Sequence, residues 1–111
     1  MTTVYEDLVS EPLPASNTDV YTAGAVSSAH VIYAAAFNSS ASPVALTGYI
    51  VKNTDSADST NQYVYVPVPS LRSVNISAII NAVLKTGDKL VFSAGTAAAI
   101  NLKIGIKEVY T

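Results

Sequence analysis

Hydrophobic and polar residues alternate with a period of two along most of this chain, most regularly at its C-terminal end. From Ile100 to Ile106 the apolar Ile100, Leu102, Ile104 and Ile106 are interleaved with Asn101, Lys103 and Gly105, and Lys107 follows, the pattern of a strand with one buried face. Lys89 to Ala94 repeats it, with Leu90 and Phe92 predicted inward and Lys89, Val91 and Ser93 outward, and Gly95-Thr96 begins the connection. These two strands are predicted to pair as an antiparallel hairpin. Ala29 to Asn38 is the longest strand candidate, with Val31, Tyr33, Ala35 and Phe37 on one face and Ile32, Ala34 and Ala36 on the other. Both faces are apolar, as in a strand whose second face is covered by the N-terminal segment or by another subunit. The small residues Ala34-Ala35-Ala36 leave room there for close approach of something bulky, and an ordinary tightly packed sheet explains them equally well.

The cluster Asn38-Ser39-Ser40-Ala41-Ser42-Pro43 predicts a turn, read as a hairpin into a strand from Val44 to Lys52 with Gly48 at a bulge. Residues Asn53 to Asn61 form a long polar loop. Tyr63 to Val68 is another strand, and Pro67 and Pro69 confine it to an edge or a strand end. In Ser70 to Leu84 the period changes: Val74, Ile76, Ile79, Ile80, Val83 and Leu84 recur at helical spacing. This predicts one short helix from Ile76, N-capped by Asn75, with Lys85 near its end and Gly87 in a left-handed conformation after it. Residues 1–18 contain Pro12 and Pro14 and hold no sustained period, which reads as an extended N-terminal arm. Its apolar Val4, Tyr5, Leu8, Val9 and Leu13 are the candidate oligomer or capsid contacts. The whole is read as mainly β, an antiparallel β-sandwich or jelly-roll-like barrel with one short helix, comprising the arm 1–18 and a single domain 19–111.

Composition supports the strands and restricts the surface. Half of the 111 residues are hydrophobic but only 13% are charged, against roughly a quarter in an average domain, so Ser, Thr, Asn and small apolar groups cover much of the exterior. Such a surface suits contact with neighbours. The net charge of −2 divides into −5 over residues 1–60, six acids against Lys52, and +3 over residues 61–111, five bases against Asp88 and Glu108. That polarity suits the acidic part of one copy meeting the basic part of another, and equally a few solvated charges unevenly spread.

Little catalytic chemistry is available. There is no cysteine, hence no disulfide framework, thiolate metal site or cysteine nucleophile. His30 is the single histidine and reads as structural; Ser27-Ser28-Ala29-His30 brings hydroxyls near it without an orienting acid or an oxyanion hole in view. Asp55 and Asp58 are three residues apart but lack the ligand spacing of a calcium loop. Asp88 reads as a turn residue. Tyr33, Tyr49, Tyr63 and Tyr65 could stack on sugars, though they are also ordinary strand formers. No catalytic residue, cofactor or metal ligand is assigned. With six basic residues under a negative total, nucleic-acid binding lacks its electrostatic drive, and no apolar run approaches the ~18 residues of a membrane span. The expectation is a protein kept soluble inside the producing cell.

The order of elements, with Val20-Tyr21-Thr22, a strand ending at Asn38, Leu71, and then Val83-Leu84-Lys85-Thr86-Gly87-Asp88-Lys89-Leu90 before a closing strand through Glu108, resembles small virion proteins of tailed bacteriophages. In that group a strand-borne Asn precedes a leucine-rich turn, a "vLxxGDxl" segment and a final strand ending near an acid. The resemblance implies a β-sandwich in a capsid or tail assembly and no catalytic residues. The function expected from it is a non-enzymatic capsid decoration or cement protein, a dimer or trimer on the major capsid protein, located in the virion after assembly in the host cytoplasm. A neck, tail or fibre component and a carbohydrate-binding module are the alternatives.

Overall fold

A computed structural model describes residues 3–25 and 28–110; the side chains of residues 3–11 lie outside the described residues. Among the described residues nine strands form two antiparallel sheets packed face to face. They are β1 (Thr3–Pro12), β2 (Thr18–Thr22), β3 (Ser28–Asn38), β4 (Val44–Val51), β5 (Gln62–Val68), β6 (Ser73–Asn75), β7 (Val83–Leu84), β8 (Lys89–Ala94) and β9 (Ile100–Tyr110). One sheet has the order β1-β9-β3-β6, with β7 also on β3, and the other β2-β8-β4-β5. β6 and β7 occupy two stretches of one strand position, so the winding is that of an eight-stranded jelly roll.

This winding replaces both predicted hairpins. β8 and β9 lie in different sheets, as do β3 and β4, so Gly95–Ala99 and Ser39–Pro43 cross between the layers. Of the consecutive strands, β4 and β5 pair directly, around the Asn53–Asn61 loop. Period-two patterning reports which residues face inward, and strands in either sheet show the same pattern, so it is silent about partners.

The core lies between the sheets and follows the alternation closely on β9, where Ile100, Leu102, Ile104 and Ile106 are fully buried. Leu90 and Phe92 are also inside; Val91, expected outward, is buried too, in register between Asp19 of β2 and Tyr49 of β4. On β3 the expected faces are corrected by a bulge. Val31 pairs with Ile106 and Tyr33 with Gly105, leaving Ile32 as the extra residue. The phase therefore shifts: Val31, Ala34 and Ala36 are buried, while Ile32, Tyr33 and Phe37 face out.

The predicted helix reduces to a 3₁₀ turn at Ser77–Ile79, with Asn75 in β6 and no side-chain cap. The reason is competition for its backbone groups. The Ile76 amide donates to Ala34 O at 2.9 Å, Asn81 N to Val31 O at 2.7 Å, and Val31 N to Ala82 O at 3.0 Å, so the segment is tied to β3 on both sides of a turn that keeps only three i→i+3 bonds of its own, from Ile79 N, Ile80 N and Ala82 N. Asn81 takes φ +74°, which also ends any helical run. Gly87 does take the left-handed φ of +87°, in the β7–β8 turn.

The N-terminal segment is a strand of this chain's own sheet. β1 pairs with β9 over ten register positions, Thr3 opposite Tyr110 through Pro12 opposite Asn101. Beyond it, Leu13 N donates to Ile100 O at 2.9 Å, Ala98 N to Leu13 O at 2.8 Å and Ala94 N to Pro14 O at 3.0 Å, and the Leu13 side chain is fully buried.

Candidate interaction surface

Because β1 lies beside β9 at the sheet edge, it leaves the outer face of β3 uncovered. Ile32, Tyr33 and Phe37 are 46%, 45% and 40% exposed there. The bulge places Ile32 and Tyr33 next to each other on the surface, and Gly105 of β9 makes room beneath them: a Cβ at Gly105 would meet Tyr33 Cβ at 3.3 Å and Ile32 Cγ1 at 3.4 Å. Alongside, Tyr33, Ala35, Phe37, Ser73, Asn101 and Lys103 line a groove of about 350 Å³. Of the alanine run, Ala35 and Ala36 line this groove, while Ala34 is buried in the core. Lys103, opposite Ala35 in register, sets a cation at its rim.

A second exposed aromatic pair lies on the other sheet. β5 is the edge strand, as its prolines required, and it carries Tyr63 and Tyr65, the latter 70% exposed. Val64 and Val68 are buried beneath them, and the tyrosines overlook a shallow groove shared with Asn75, Ile76, Ser77 and Ala78. The sugar-stacking set is thereby divided. Tyr33 is on the first sheet and Tyr49, Tyr63 and Tyr65 belong to the second, so the four do not form one platform.

The polar loop ahead of β5 is internally braced. Thr60 donates from its amide (2.8 Å) and its hydroxyl (2.5 Å) to Asp58 Oδ1, the Asp58 amide donates to Asn61 Oδ1 at 2.9 Å, and Asn61 Nδ2 to Ser56 O at 2.9 Å. The Thr60 hydroxyl, then the Thr60 amide, hold the Asp58 carboxyl below its ordinary pKa. Among the described residues no group of three or more His, Cys, Asp or Glu side chains could hold a metal ion.

Ser28 Oγ lies 2.9 Å from His30 Nε2, so the hydroxyl and imidazole noted in the sequence do meet. A working nucleophile needs the imidazole to become cationic against an orienting acid. The register instead puts Lys107 and Val83 opposite His30, and Glu108, one residue further along β9, accepts the Tyr21 hydroxyl at 2.6 Å. Among the described residues no carboxylate is bonded to the imidazole, and the Ser28–His30 pair is a local hydrogen bond on β3.

Two polar side chains are buried among the described residues, and both organise turns. Asn38 Nδ2 donates to Ser42 O (2.8 Å) and Val68 O (2.9 Å), while its Oδ1 accepts from the Ser40 amide (2.9 Å) and hydroxyl (2.7 Å), so the side chain ties the β3–β4 crossing to the end of β5. Asp88 accepts the Asn53 amide at 2.9 Å, the Lys85 amide at 3.0 Å and the Lys52 ammonium at 3.3 Å. Burial works to raise its pKa, but the Lys85 and Asn53 amides and Lys52 together outweigh it and hold the carboxyl below the ordinary value.

Of the five contact candidates in the N-terminal segment, Leu13 is a core residue. Val4, Tyr5, Leu8 and Val9 belong to the backbone of β1, opposite Val109, Glu108, Gly105 and Ile104, and their side chains lie outside the described residues. The exposed Ile32, Tyr33 and Phe37 were not singled out as contacts from the sequence. The signal was present in the apolar second face of Ala29–Asn38, but their exposure depends on where β1 runs. Among the described residues, no helix is long and apolar enough to cross a membrane.

No protein-family model matches this chain, and no curated protein matches it. Among solved structures, it is similar to the Bacillus endospore appendages described as a novel family of disulfide-linked pili, with 15% identity and a TM-score of 0.54 over 99% of this chain and 88% of that one. It is more distantly similar to the VP2 subviral particle of infectious bursal disease virus, with 15% identity and a TM-score of 0.40. There it covers 97% of this chain and 32% of VP2, so the chain spans about a third of that protein. At such identities, what the pilus subunit and this chain share is the sandwich fold.

Proposed function

We propose that this chain is a non-enzymatic structural subunit that packs against further copies of itself in a repeating assembly. The observation that carries the proposal is the outer face of β3, where Ile32, Tyr33 and Phe37 stand exposed on a rigid sheet in a chain with few charges to solvate it. Burying that face removes apolar area from water, and a preformed sheet loses little entropy on docking. With no cysteine in the sequence, contacts between copies are not made by disulfides.

Within that class the resemblance to tailed-phage virion proteins favours a capsid decoration protein, dimeric or trimeric, seated on the major capsid protein or other virion proteins, with Val4, Tyr5, Leu8 and Val9 of β1 adding contacts at the sheet edge. Leu13 anchors that strand from inside. The fold shared with a pilus subunit favours a second reading, a filament component. Light scattering over a dilution series, with negative-stain electron microscopy of the same samples, separates them. A small closed oligomer that binds isolated phage heads supports decoration, and rods that lengthen with concentration support the filament. A monomer throughout the soluble range refutes the assembly proposal.

A further inference from the structure

We infer that the subunits join head to tail, Tyr65 of one copy inserting into the Tyr33–Ala35–Phe37 groove of the next, with the acidic loop Asn53–Asn61 beside Lys103; this rests on the assembly reading above. The two surfaces match in shape. The groove is a depression of about 350 Å³ floored by alanine and walled by Tyr33 and Phe37, and Tyr65 is a 70% exposed ring on an edge strand. A tyrosine entering such a slot gains stacking on its flanks and loses few rotamers, and Lys103 at the rim adds a cation near its ring.

They also match in charge. Among the described residues, the groove lining contains Lys103 and no acid. On the other side, loop residues 53–61 contain Asp55 and Asp58 and no base, and the groove below Tyr63 and Tyr65 has no charged residue in its lining. Lys103 makes no ion pair among the described residues, and its register neighbours are Ala35 on β3 and Ser10 on β1. The −5 and +3 halves of the sequence thus acquire a local meaning.

Size permits the contact. The two longer dimensions of the molecule, 49 and 25 Å, bound a face of roughly 1,200 Å², against about 800 Å² per partner for a standard stable interface. Because knob and groove belong to different sheets, one contact leaves the second copy's groove and the first copy's tyrosine unused. Such heterologous joints propagate until they close a ring or extend a filament, and they yield trimers or larger rings more naturally than two-fold dimers.

Two full-length variants test the joint. Tyr65→Ser removes the knob and keeps the groove; Ala35→Glu fills the groove, places an acid against Lys103 and keeps the knob. Each is first shown by circular dichroism to melt as the wild type does, with Tyr65→Thr and Ala35→Val, which likewise remove the ring and fill the groove, as substitutes where it does not. Each variant alone is expected to weaken self-association at least about tenfold. Mixed one to one, they form a heterodimer of twice the 11.5 kDa chain mass that grows no further, because one intact joint remains. If the wild type assembles but the variants still assemble alone, or stay apart when mixed, the joint is wrong while the assembly reading stands. A wild type that never leaves the monomer overturns both.

Discussion

Gly48 sits in β4, held between β5 and β8, in register with Phe92 on one side and Val64 on the other. A Cβ built on it would lie 2.4 Å from Phe92 Cε2, 2.8 Å from Cδ2 and 2.9 Å from Cζ. Ordinary contact begins near 3.5 Å, so the ring must retreat by about 1 Å. It has little room, since Phe92 is the largest fully buried side chain. Forcing a methyl into such a site costs about 1–3 kcal/mol, and an off-rotamer ring adds about 0.5–1.5 kcal/mol. Replacing glycine in a strand returns about 0.5–1 kcal/mol through the unfolded chain, leaving a net loss of about 2–3 kcal/mol for Gly48→Ala. For a domain of this size that lowers Tm by about 10–15 °C. Urea titration followed by far-ultraviolet circular dichroism reads it, with tyrosine fluorescence as a second probe in a chain that has no tryptophan. Phe92→Leu in the Gly48→Ala background should recover about 1 kcal/mol relative to the sum of the single changes, because the clash and the ring are the same interaction. A Gly48→Ala protein within about 0.5 kcal/mol of wild type, or strictly additive double-mutant energetics, would refute the reasoning.

Leu13→Ala should destabilise by about 2–4 kcal/mol in chemical denaturation, since the side chain is fully buried; a cost under about 1 kcal/mol would mean that the N-terminal segment is not anchored in this core. Asn38→Ala strips four hydrogen bonds from the β3–β4 crossing and is expected to cost about 2–3 kcal/mol by the same measurement. Asp88→Ala should cost about 2 kcal/mol near neutral pH through the Asn53 and Lys85 amides it leaves unpaired. Because the folded pKa of Asp88 lies below the ordinary 3.8, its charge-dependent stabilisation is present above that value and is lost as pH falls through the folded pKa. The gap between Asp88→Ala and wild type should therefore narrow between pH 5 and pH 2, and a constant gap would show that the carboxylate charge is irrelevant.

The inward faces of β8 and β9 were legible in residue order alone, since burying one face of a strand imposes a period of two on the chain. So was the edge position of β5, because Pro67 has no N–H for a ladder. The chain also disclosed in advance that chemistry is scarce: without cysteine, and with one histidine, few catalytic constellations can be built. The 3₁₀ turn was not legible, because Ile76, Ile79 and Ile80 satisfy a helical spacing as well as a short segment strapped over a bulge, and only the β3 carbonyls and amides decide where the backbone hydrogen bonds go. Nor was the bulge at Ile32, which requires knowing that Gly105 lies opposite Tyr33. The candidate surface depended on both.

What the sequence by itself determined is therefore local: which residues seek the interior, where strands break, and which residue types are available. Only the tertiary structure decided that β3 and β4, and likewise β8 and β9, go to opposite sheets, that the N-terminal segment lies beside β9, and that Ile32, Tyr33 and Phe37 consequently face outward. The physical reason is that a side-chain period is set by burial within one strand, whereas pairing, and with it exposure, is set by hydrogen bonds between strands distant in sequence, for which the same alternation serves in either sheet.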